Sequence, residues 1–386
     1  MKTEDDAATP WSTSPLFQVP EHESEKYPDG VTGLLVRGLP YEGSTTRFFS
    51  YYATPGSLSG DSSIDKNLPA IILVHGGGET ASREWARFWA MRGYASLSLD
   101  LGGRGPDRSR LADGGPDDKG ENKILHAAKP LADQWPFHAV ADVIILNSLL
   151  RSFPEINRNK IAVAGASWGG FVTCLVAGID HRIAAAVSVY GCGYIWEKSI
   201  WVDNKLFAAL AEGDRQRWIS LWDPSNYLPD VQCSVLFATG AKDFAYPLES
   251  WTKSVKLVPE QLRHLLVEPE MPHSGDFALT VLPGVHMFID AVLNESSRYP
   301  RIGECQEIDG GVLARCKNLT SDSSAHLHYT CDGGSNLDRT WRTMPAKYNW
   351  HGEEIEASPP PARARIFFLT SSQAGYCMCS SLPVLR

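Results

Sequence analysis

Short apolar runs alternate with stretches of helical periodicity through the middle of the chain, between residues 69 and 293. The run Pro69 to Val74 is continuously apolar, as in a strand that is buried on both faces. The stretch Ala81 to Gly93 has helical spacing and ends at a glycine. Further strands are predicted at 94–99, 160–164, 183–190, 234–239 and 264–268, and further helices at 139–150, 168–178, 248–257 and 286–293. This alternation is typical of an α/β fold with a doubly wound, mostly parallel sheet and right-handed crossovers.

A different pattern begins near Tyr299, where short β-rich segments alternate with turns that contain Gly and Pro. No long helical stretch follows, and the pattern predicts a small C-terminal β-sandwich of about 85 residues. We therefore predict an N-terminal extension at 1–30, an α/β domain at 31–298 that carries the candidate chemistry, and a β-sandwich accessory domain at 299–386. Within the α/β domain, residues 190–228 are rich in aromatic side chains and are predicted to form a lid.

Composition and charge exclude several classes of function. Hydrophobic residues make up 43% of the chain and charged residues 21%, which is ordinary for a globular protein. The net charge of −9 argues against a nucleic-acid-binding protein or a binder of anionic membranes, because both need clustered Lys and Arg. No apolar run reaches the about 18 residues of a membrane-spanning helix. Residues 1–6 lack the features of a signal peptide, so we expect a cytoplasmic protein or the mature form of an exported one.

The cysteines are unevenly distributed. The chain has eight, and five of them follow residue 304: Cys305, Cys316, Cys331, Cys377 and Cys379. They are either buried thiols in a reducing compartment or partners in one or two disulfides of a small exported domain. The sequence leaves both interpretations open.

A sharp strand–turn–helix is predicted at the segment GASWGG, from Gly165 to Gly170. A G-x-S-x-G turn between a strand and a helix is the pattern of a nucleophile elbow. The turn is so tight that only small residues fit beside the serine. It presents the Ser167 hydroxyl at the carboxyl edge of the sheet, where open α/β sheets bind their ligands. Ser167 is therefore the predicted nucleophile.

A serine nucleophile needs a base, and the base needs an acid that orients it. Asp243 follows the strand predicted at 234–239, and His273 follows the next strand, so both lie at the same sheet edge as Ser167. The order Ser, acid, His is the one expected after such an elbow. Glu270 is a rival acid. The remaining candidates fit less well by position: Asp214, Asp223, Asp230, His264, His286, His326 and His328.

Two N–H donors are needed to hold the negative charge that develops on the substrate oxygen. The amide of Trp168, directly after the nucleophile, is the first candidate. The second comes from the segment HGGG at 75–78, after the first strong strand, with Gly77 favoured and Gly78 next. No G-K-[ST] follows, and no G-x-G-x-x-G motif with a later acidic residue is present, so no nucleotide cofactor is predicted.

The aromatic residues of the lid are candidates for contacts with a substrate. Tyr190, Trp196, Trp201 and Trp222 are predicted to line the cleft, where their faces stack on sugar rings or cover an acyl group. Packing within the lid is the alternative. No metal site is predicted, since His326 and His328 have no further ligands near them in the sequence.

With Ser167, Asp243 and His273, the chain resembles the α/β-hydrolase superfamily. Its elbow and the segment 243–247 are similar to those of prolyl-oligopeptidase-type and dienelactone-hydrolase-type members. As a whole it resembles bacterial acetyl xylan esterase-like and dienelactone-hydrolase-like proteins with a small C-terminal β-domain. Segments 75–78, 190–193 and 222–225 add to this resemblance. It differs from acetyl xylan esterases in having Trp168 where they carry Gln and Ser274 where they carry Glu, which argues against xylan as the substrate.

The resemblance implies a serine esterase that removes acetyl or other short acyl groups from a carbohydrate or small-molecule ester. It also implies export, as is usual for such relatives. One alternative is a serine exopeptidase of the prolyl-oligopeptidase type, although the about 70 residues before the first core strand leave no room for a β-propeller. The other is a non-catalytic carbohydrate-binding protein on a hydrolase scaffold.

Overall fold

The computed structural model describes residues 10–274, 278–296 and 298–386. These residues form two nine-stranded sheets, and one hydrophobic core runs through both. The strands of the first sheet are β1 His22–Lys26, β2 Thr32–Arg37, β3 Arg47–Ala53, β4 Leu68–Val74, β5 Ala95–Leu99, β6 Ile156–Ala166, β7 Ala185–Val189, β8 Ser234–Lys242 and β9 Arg263–Pro272. Those of the second are β10 Arg301–Ile302, β11 Gln306–Ile308, β12 Gly311–Lys317, β13 Ser324–Thr330, β14 Arg342–Asn349, β15 Glu354–Ala357, β16 Ile366–Gln373, β17 Tyr376–Ser380 and β18 Val384–Leu385.

The first sheet has the strand order β1-β2-β3-β5-β4-β6-β7-β8-β9. The strands from β5 to β9 in that order are parallel, while β1, β2 and β3 pair in antiparallel fashion. Strand β4 lies between β5 and β6, and Ile71, Ile72 and Leu73 within it are fully buried. This confirms the predicted doubly wound, mostly parallel sheet. Because the strands are parallel, their carboxyl ends meet at one edge.

Twelve helices precede, connect or follow the strands of the first sheet in the described part of the chain. They are α1 Thr13–Leu16, α2 Pro55–Ser59, α3 Arg83–Met91, α4 Asn122–Leu125, α5 Trp135–Leu150, α6 Trp168–Ile179, α7 Ile200–Asp203, α8 Leu206–Ala209, α9 Glu212–Trp222, α10 Leu248–Val255, α11 Ala278–Val281 and α12 Pro283–Asn294. Helix α5 is buried along almost its whole length, which explains why its sequence is apolar on every side. In the described part of the chain, no helix combines the length and the apolar character needed to cross a bilayer.

The first sheet begins earlier in the chain than the pattern of apolar residues predicts. Strand β1 lies within the predicted N-terminal extension and pairs with β2 as an edge strand. All five of its residues are exposed. A strand with neither face buried has no apolar alternation, so its sequence carries no signal that distinguishes it from a loop.

The second sheet is antiparallel and has the order β10-β12-β15-β14-β13-β16-β17, with β11 and β18 on its margins. It curls until β10 lies beside β17, so the predicted sandwich takes the form of one nearly closed sheet. It packs on β9 of the first sheet, where the Val267 N–H donates to Ser380 Oγ at 3.0 Å. The Tyr299 hydroxyl donates to the carbonyl oxygen of Met378 at 2.5 Å. The C-terminal sheet is thus joined to the edge of the α/β sheet that ends in the His273 loop.

Candidate active site

Ser167 occupies a strained turn between β6 and α6. Its backbone has φ 56° and ψ −120°, a conformation that L-residues rarely adopt. A Cβ on Gly165 would lie 2.1 Å from the carbonyl oxygen of Gly169, and one on Gly169 would lie 2.1 Å from that of Val74. No side chain fits at either position, so the two glycines allow β4, β6 and α6 to approach closely. The turn lifts the Ser167 side chain out at the carboxyl edge of the sheet.

The structure brings Ser167, His273 and Asp243 into one chain of hydrogen bonds. The distance from His273 Nε2 to Ser167 Oγ is 3.0 Å, and that from His273 Nδ1 to Asp243 Oδ2 is 2.9 Å. A carboxylate accepts only, so the hydrogen of a neutral imidazole lies on Nδ1 and Nε2 accepts from the serine hydroxyl. The Asp243 side chain is fully buried, while that of His273 is 12% exposed. The imidazole can therefore take up a proton at an atom that a substrate can reach.

Asp243 is held in its rotamer by the loop that follows it. Its Oδ1 accepts hydrogen bonds from the N–H groups of Ala245, at 2.7 Å, and Tyr246, at 2.8 Å. This leaves Oδ2 for His273. The rival acid Glu270 is 2.5 Å from Lys242 Nζ in an ion pair at the protein surface. Ion pairing and exposure make Glu270 a poor alternative to the buried carboxylate.

The two expected N–H donors belong to residues that lie close together. Trp168 N and Gly77 N have no hydrogen-bond partner among the described residues. The Gly78 N–H, predicted as the next candidate, donates to Asp118 Oδ2 at 2.7 Å and is not free for a substrate. A Cβ on Gly77 would lie 2.6 Å from Trp168 Cδ1, so the glycine loop rests directly on the tryptophan ring. Gly77 and Trp168 therefore remain the candidate pair of donors.

A buried lysine that no sequence motif marks lies beside these donors. The Lys123 side chain is 4% exposed, and its Nζ would be 3.4 Å from a Cβ on Gly77. Its ammonium group lies 5.7 Å from the centroid of the Trp168 ring and donates to the carbonyl oxygen of Asp118. Burial acts to lower the pKa of Lys123, and the charge of Asp118 counteracts this in part. A positive charge here strengthens any electrostatic attraction for an anion beside Gly77.

Asp118 joins the lysine to the glycine loop. Its carboxylate pairs with Arg104 at 2.7 Å and with Lys123 at 3.8 Å, and it also accepts from Gly78 N. Burial acts to raise the pKa of Asp118, but Lys123, the Gly78 N–H and Arg104 outweigh it and hold the pKa below its usual value. Arg104 also donates its backbone N–H to Asp100 Oδ1 at 2.6 Å. No motif marks Lys123 or Asp118 in the sequence.

The four predicted substrate contacts fall into two groups. The Tyr190 ring lies 4.5 Å from that of His273, and the Trp201 ring lies 4.8 Å from that of Trp168, so both are at the site. Trp196 is partly buried against the core. Trp222 is fully buried, and its Nε1 donates to Gln134 Oε1 at 2.7 Å. The ring and the N–H of Trp222 are thus both used in packing within the lid, which was the alternative to a substrate contact.

One exposed aromatic ring at the site was not predicted. Phe244 follows the acid residue, is 44% exposed, and lies 5.2 Å from the His273 ring between centroids. Its neighbour Tyr246 is fully buried. The exposed ring covers one side of the imidazole and is available to the apolar part of a substrate.

A buried histidine of the C-terminal sheet is held by two hydroxyl groups. His328 is buried between the hydroxyls of Thr343, at 3.0 Å, and Thr370, at 2.8 Å. Among the residues that the structure describes, no group of three or more His, Cys, Asp or Glu side chains is placed to hold a metal ion. All eight cysteines are unpaired thiols, and five of them are buried.

Part of the chain matches a known protein family. Residues 53–206 match the acetyl xylan esterase family model. That segment includes Gly77 and Ser167 but ends before Asp243 and His273. A search of curated proteins finds no significant match.

Solved structures show the same fold at low sequence identity. Acetyl xylan esterase from Paenibacillus sp. R4 has 20% identity and a TM-score of 0.56, over 73% of this chain and 92% of its own. Acetyl xylan esterase 1 from Thermoanaerobacterium sp. JW/SL YS485 has 16% identity and a TM-score of 0.56, over 72% of this chain and 89% of its own. This chain has the α/β-hydrolase fold. It resembles acetyl xylan esterases within that superfamily.

A peptidase gives a weaker likeness of the same kind. Acylaminoacyl peptidase from Pyrococcus horikoshii has 17% identity and a TM-score of 0.50, over 72% of this chain but only 42% of its own. At this identity the likeness shows the fold alone.

The family match supports the assignment of this α/β-hydrolase as a carboxylic-ester hydrolase.

Proposed function

We propose that this α/β-hydrolase is a serine esterase that removes acetyl or other short acyl groups from a carbohydrate or small-molecule ester through an acyl-enzyme. The observation that carries the proposal is the hydrogen-bonded chain from Asp243 through His273 to Ser167. Such a chain supplies a nucleophile, a base and an orienting acid in the geometry that acyl transfer requires.

In the first half-reaction, Ser167 Oγ forms a bond to the ester carbonyl carbon while His273 Nε2 takes the hydroxyl proton. The carbonyl oxygen becomes an oxyanion that accepts from the N–H groups of Gly77 and Trp168, beside the charge of Lys123. Asp243 stabilises the imidazolium. The ester C–O bond then breaks, and His273 gives its proton to the departing alcohol oxygen.

In the second half-reaction, water attacks the acyl carbon and passes a proton to His273. The bond to Ser167 Oγ breaks, and the imidazolium returns its proton to that oxygen. The carboxylic acid is released, and the site returns to its starting state. No group beyond these side chains and water is needed for the proton and electron balance.

A cavity next to the glycine loop is a candidate site for the alcohol part of the ester. It has a volume of about 610 Å³, and its lining includes Gly78, one residue from the candidate donor Gly77. Its walls carry the charged side chains of Glu84, Arg104 and Arg108 and the aromatic ring of Phe88. Polar groups with an aromatic wall suit a hydroxylated alcohol such as a sugar better than a long hydrocarbon chain.

Parallel assays of an acyl ester and a peptide substrate test the proposal. We expect the wild-type protein to hydrolyse p-nitrophenyl acetate much faster than a dipeptide p-nitroanilide, and Ser167→Ala to hydrolyse neither. A panel of acetylated sugars and polysaccharides then identifies the alcohol. Faster release of p-nitroaniline than of p-nitrophenol would favour an exopeptidase instead, and no turnover of any substrate would favour a binding protein.

A further inference from the structure

One loop of the C-terminal sheet reaches the candidate acid. It connects β13 to β14 and contains a short 3-10 helix, Asn336–Asp338, that packs against the end of β8. The Asn336 side chain is buried there. Its Nδ2 donates a hydrogen bond to the main-chain carbonyl oxygen of Asp243 at 2.8 Å. A residue 93 positions away in sequence thus holds the backbone of the acid.

A second contact from the same loop holds the far end of the acid segment. The Arg339 guanidinium donates to Asn336 Oδ1, which fixes the orientation of the asparagine amide. It also donates to Glu249 Oε1 at 2.8 Å. Glu249 lies in the first turn of α10, directly after the loop that carries Asp243. Asn336 and Arg339 therefore bridge the two ends of segment 243–249.

The position of this segment decides the geometry of the carboxylate. Ala245 and Tyr246 donate to one carboxylate oxygen of Asp243, and the other oxygen accepts from His273. A shift of the segment rotates the carboxylate and lengthens the contact with His273 Nδ1. Displacements of about 1 Å in a catalytic group cost about 100-fold in rate, so a small movement here has a large effect.

We propose that Asn336 is a positioning residue for the acid and that the C-terminal sheet completes the active site. This inference rests on the proposed function. Asn336 acts through Asp243 and does not touch the substrate. The C-terminal sheet then has a direct part in catalysis, beyond its contribution to the shared core.

The test compares two isosteric substitutions in the full-length chain. Asn336→Asp keeps the size of the side chain and the oxygen that accepts from Arg339, but removes the donor to Asp243. Asn318→Asp is the matched control, because Asn318 Nδ2 also donates to a main-chain carbonyl, that of Tyr299 at 3.0 Å, away from the site. Asn336→Ser also removes the hydrogen bond to Asp243, because the serine hydroxyl is too short to reach that carbonyl oxygen. Unlike Asn336→Asp, it adds no charge.

Each variant is titrated with a fluorophosphonate probe, and kcat for p-nitrophenyl acetate is expressed per labelled serine, so that unfolded protein does not count. We expect Asn336→Asp and Asn336→Ser each to lower kcat by about 10- to 100-fold with KM within about twofold of wild type. Asn318→Asp should change neither parameter. If Asn336→Asp does not fold, Asn336→Ser is judged by the same values.

Two results would overturn the inference. One is a wild-type kcat per labelled serine in the Asn336 variants. The other is a loss in Asn336→Asp alone, since this would trace the effect to the added charge. Failure of the proposed function looks different: the wild-type protein itself would then take up no probe and release no p-nitrophenol.

Discussion

The nucleophile half of the candidate site and its acid–base half are held in place by different kinds of contact. Ser167 and Gly77 follow β6 and β4, neighbouring strands at the centre of the first sheet, and their loops touch through backbone atoms. Asp243 and His273 follow β8 and β9, at one end of the sheet. There the acid segment is supported by Asn336, from the second sheet. The first half depends on local steric fit, and the second depends on side chains from distant parts of the chain.

We expect substitutions in the two halves to act in different ways. In the nucleophile half, one added methyl group displaces backbone. In the acid–base half, the loss of one hydrogen bond changes the orientation of a carboxylate while the fold persists. Three substitutions at the candidate site and one in the second sheet are expected to have successively smaller effects.

Removal of the nucleophile should have the largest effect. We expect Ser167→Ala to lower kcat for ester hydrolysis by about 10⁴- to 10⁶-fold, because no other group can form the acyl-enzyme. Steady-state kinetics measure the loss, and circular dichroism checks that the fold is intact. A well-folded variant that retains more than about a tenth of the wild-type turnover would refute the assignment.

Crowding of the glycine loop should have the next largest effect. Gly77→Ala places a methyl group 2.6 Å from Trp168 Cδ1 and so pushes the two N–H donors apart. We expect kcat to fall by about 10²- to 10³-fold, the usual loss for one oxyanion donor. Gly213→Ala is the control, because a Cβ there meets no atom within 4 Å. Equal activity of the two variants would show that the close fit of Gly77 against Trp168 does not control the reaction.

Loss of the buried charge should have a moderate effect on kcat. Lys123→Met keeps most of the side-chain volume and removes the positive charge beside Gly77. We expect about a 10-fold lower kcat with KM little changed, since the charge attracts the oxyanion and not the neutral ester. The exposed Lys119, four residues earlier in the chain, provides the control variant Lys119→Met. A change in KM alone would instead assign Lys123 to substrate binding.

A histidine of the second sheet should affect stability toward acid and not catalysis. Burial lowers the pKa of His328 to about 4, with a smaller contribution from His326. In the unfolded chain a histidine titrates near 6.5, so between about pH 6.5 and 4 the unfolded state binds the proton and the folded state does not. Above about pH 6.5, His328 therefore does not lower the free energy of unfolding. As the pH falls from about 6.5 to 4, it lowers that free energy progressively.

Replacement of His328 should remove that loss. The free energy of unfolding of each protein is compared at pH 7 and at pH 5. We expect the decrease to be smaller in His328→Gln than in the wild type, by about 1–2 kcal/mol. Urea unfolding at the two pH values measures this, with the exposed His22→Gln as the control. An identical pH dependence in the wild type and His328→Gln would contradict the burial argument.

More of the nucleophile half than of the acid–base half could be predicted from the sequence. The spacing of Gly165, Ser167 and Gly169 reflects a steric requirement that acts between neighbours in the chain, so the elbow is visible in a short segment. Asp243 and His273 were found because each follows a strand of a parallel sheet. Their catalytic roles, like the domain boundaries, remain predictions.

The residues that the sequence did not reveal act through contacts that no local pattern records. Lys123 lies in a polar stretch, and only the fold brings it under Gly77. Asn336 comes from another sheet. For the same reason the aromatic content of the lid could not distinguish Trp201, at the site, from Trp222, inside the core. Local patterns likewise predict the strands of the second sheet but not the way in which it curls.

The most direct test of the central claim is to identify the residue that a fluorophosphonate modifies. The wild-type chain is incubated with the probe, digested and analysed by mass spectrometry. We predict one adduct, on Ser167, and greatly slowed labelling in His273→Ala. A protein that takes up no probe, or that carries it on another residue while Ser167 stays unmodified, would contradict the serine-esterase account.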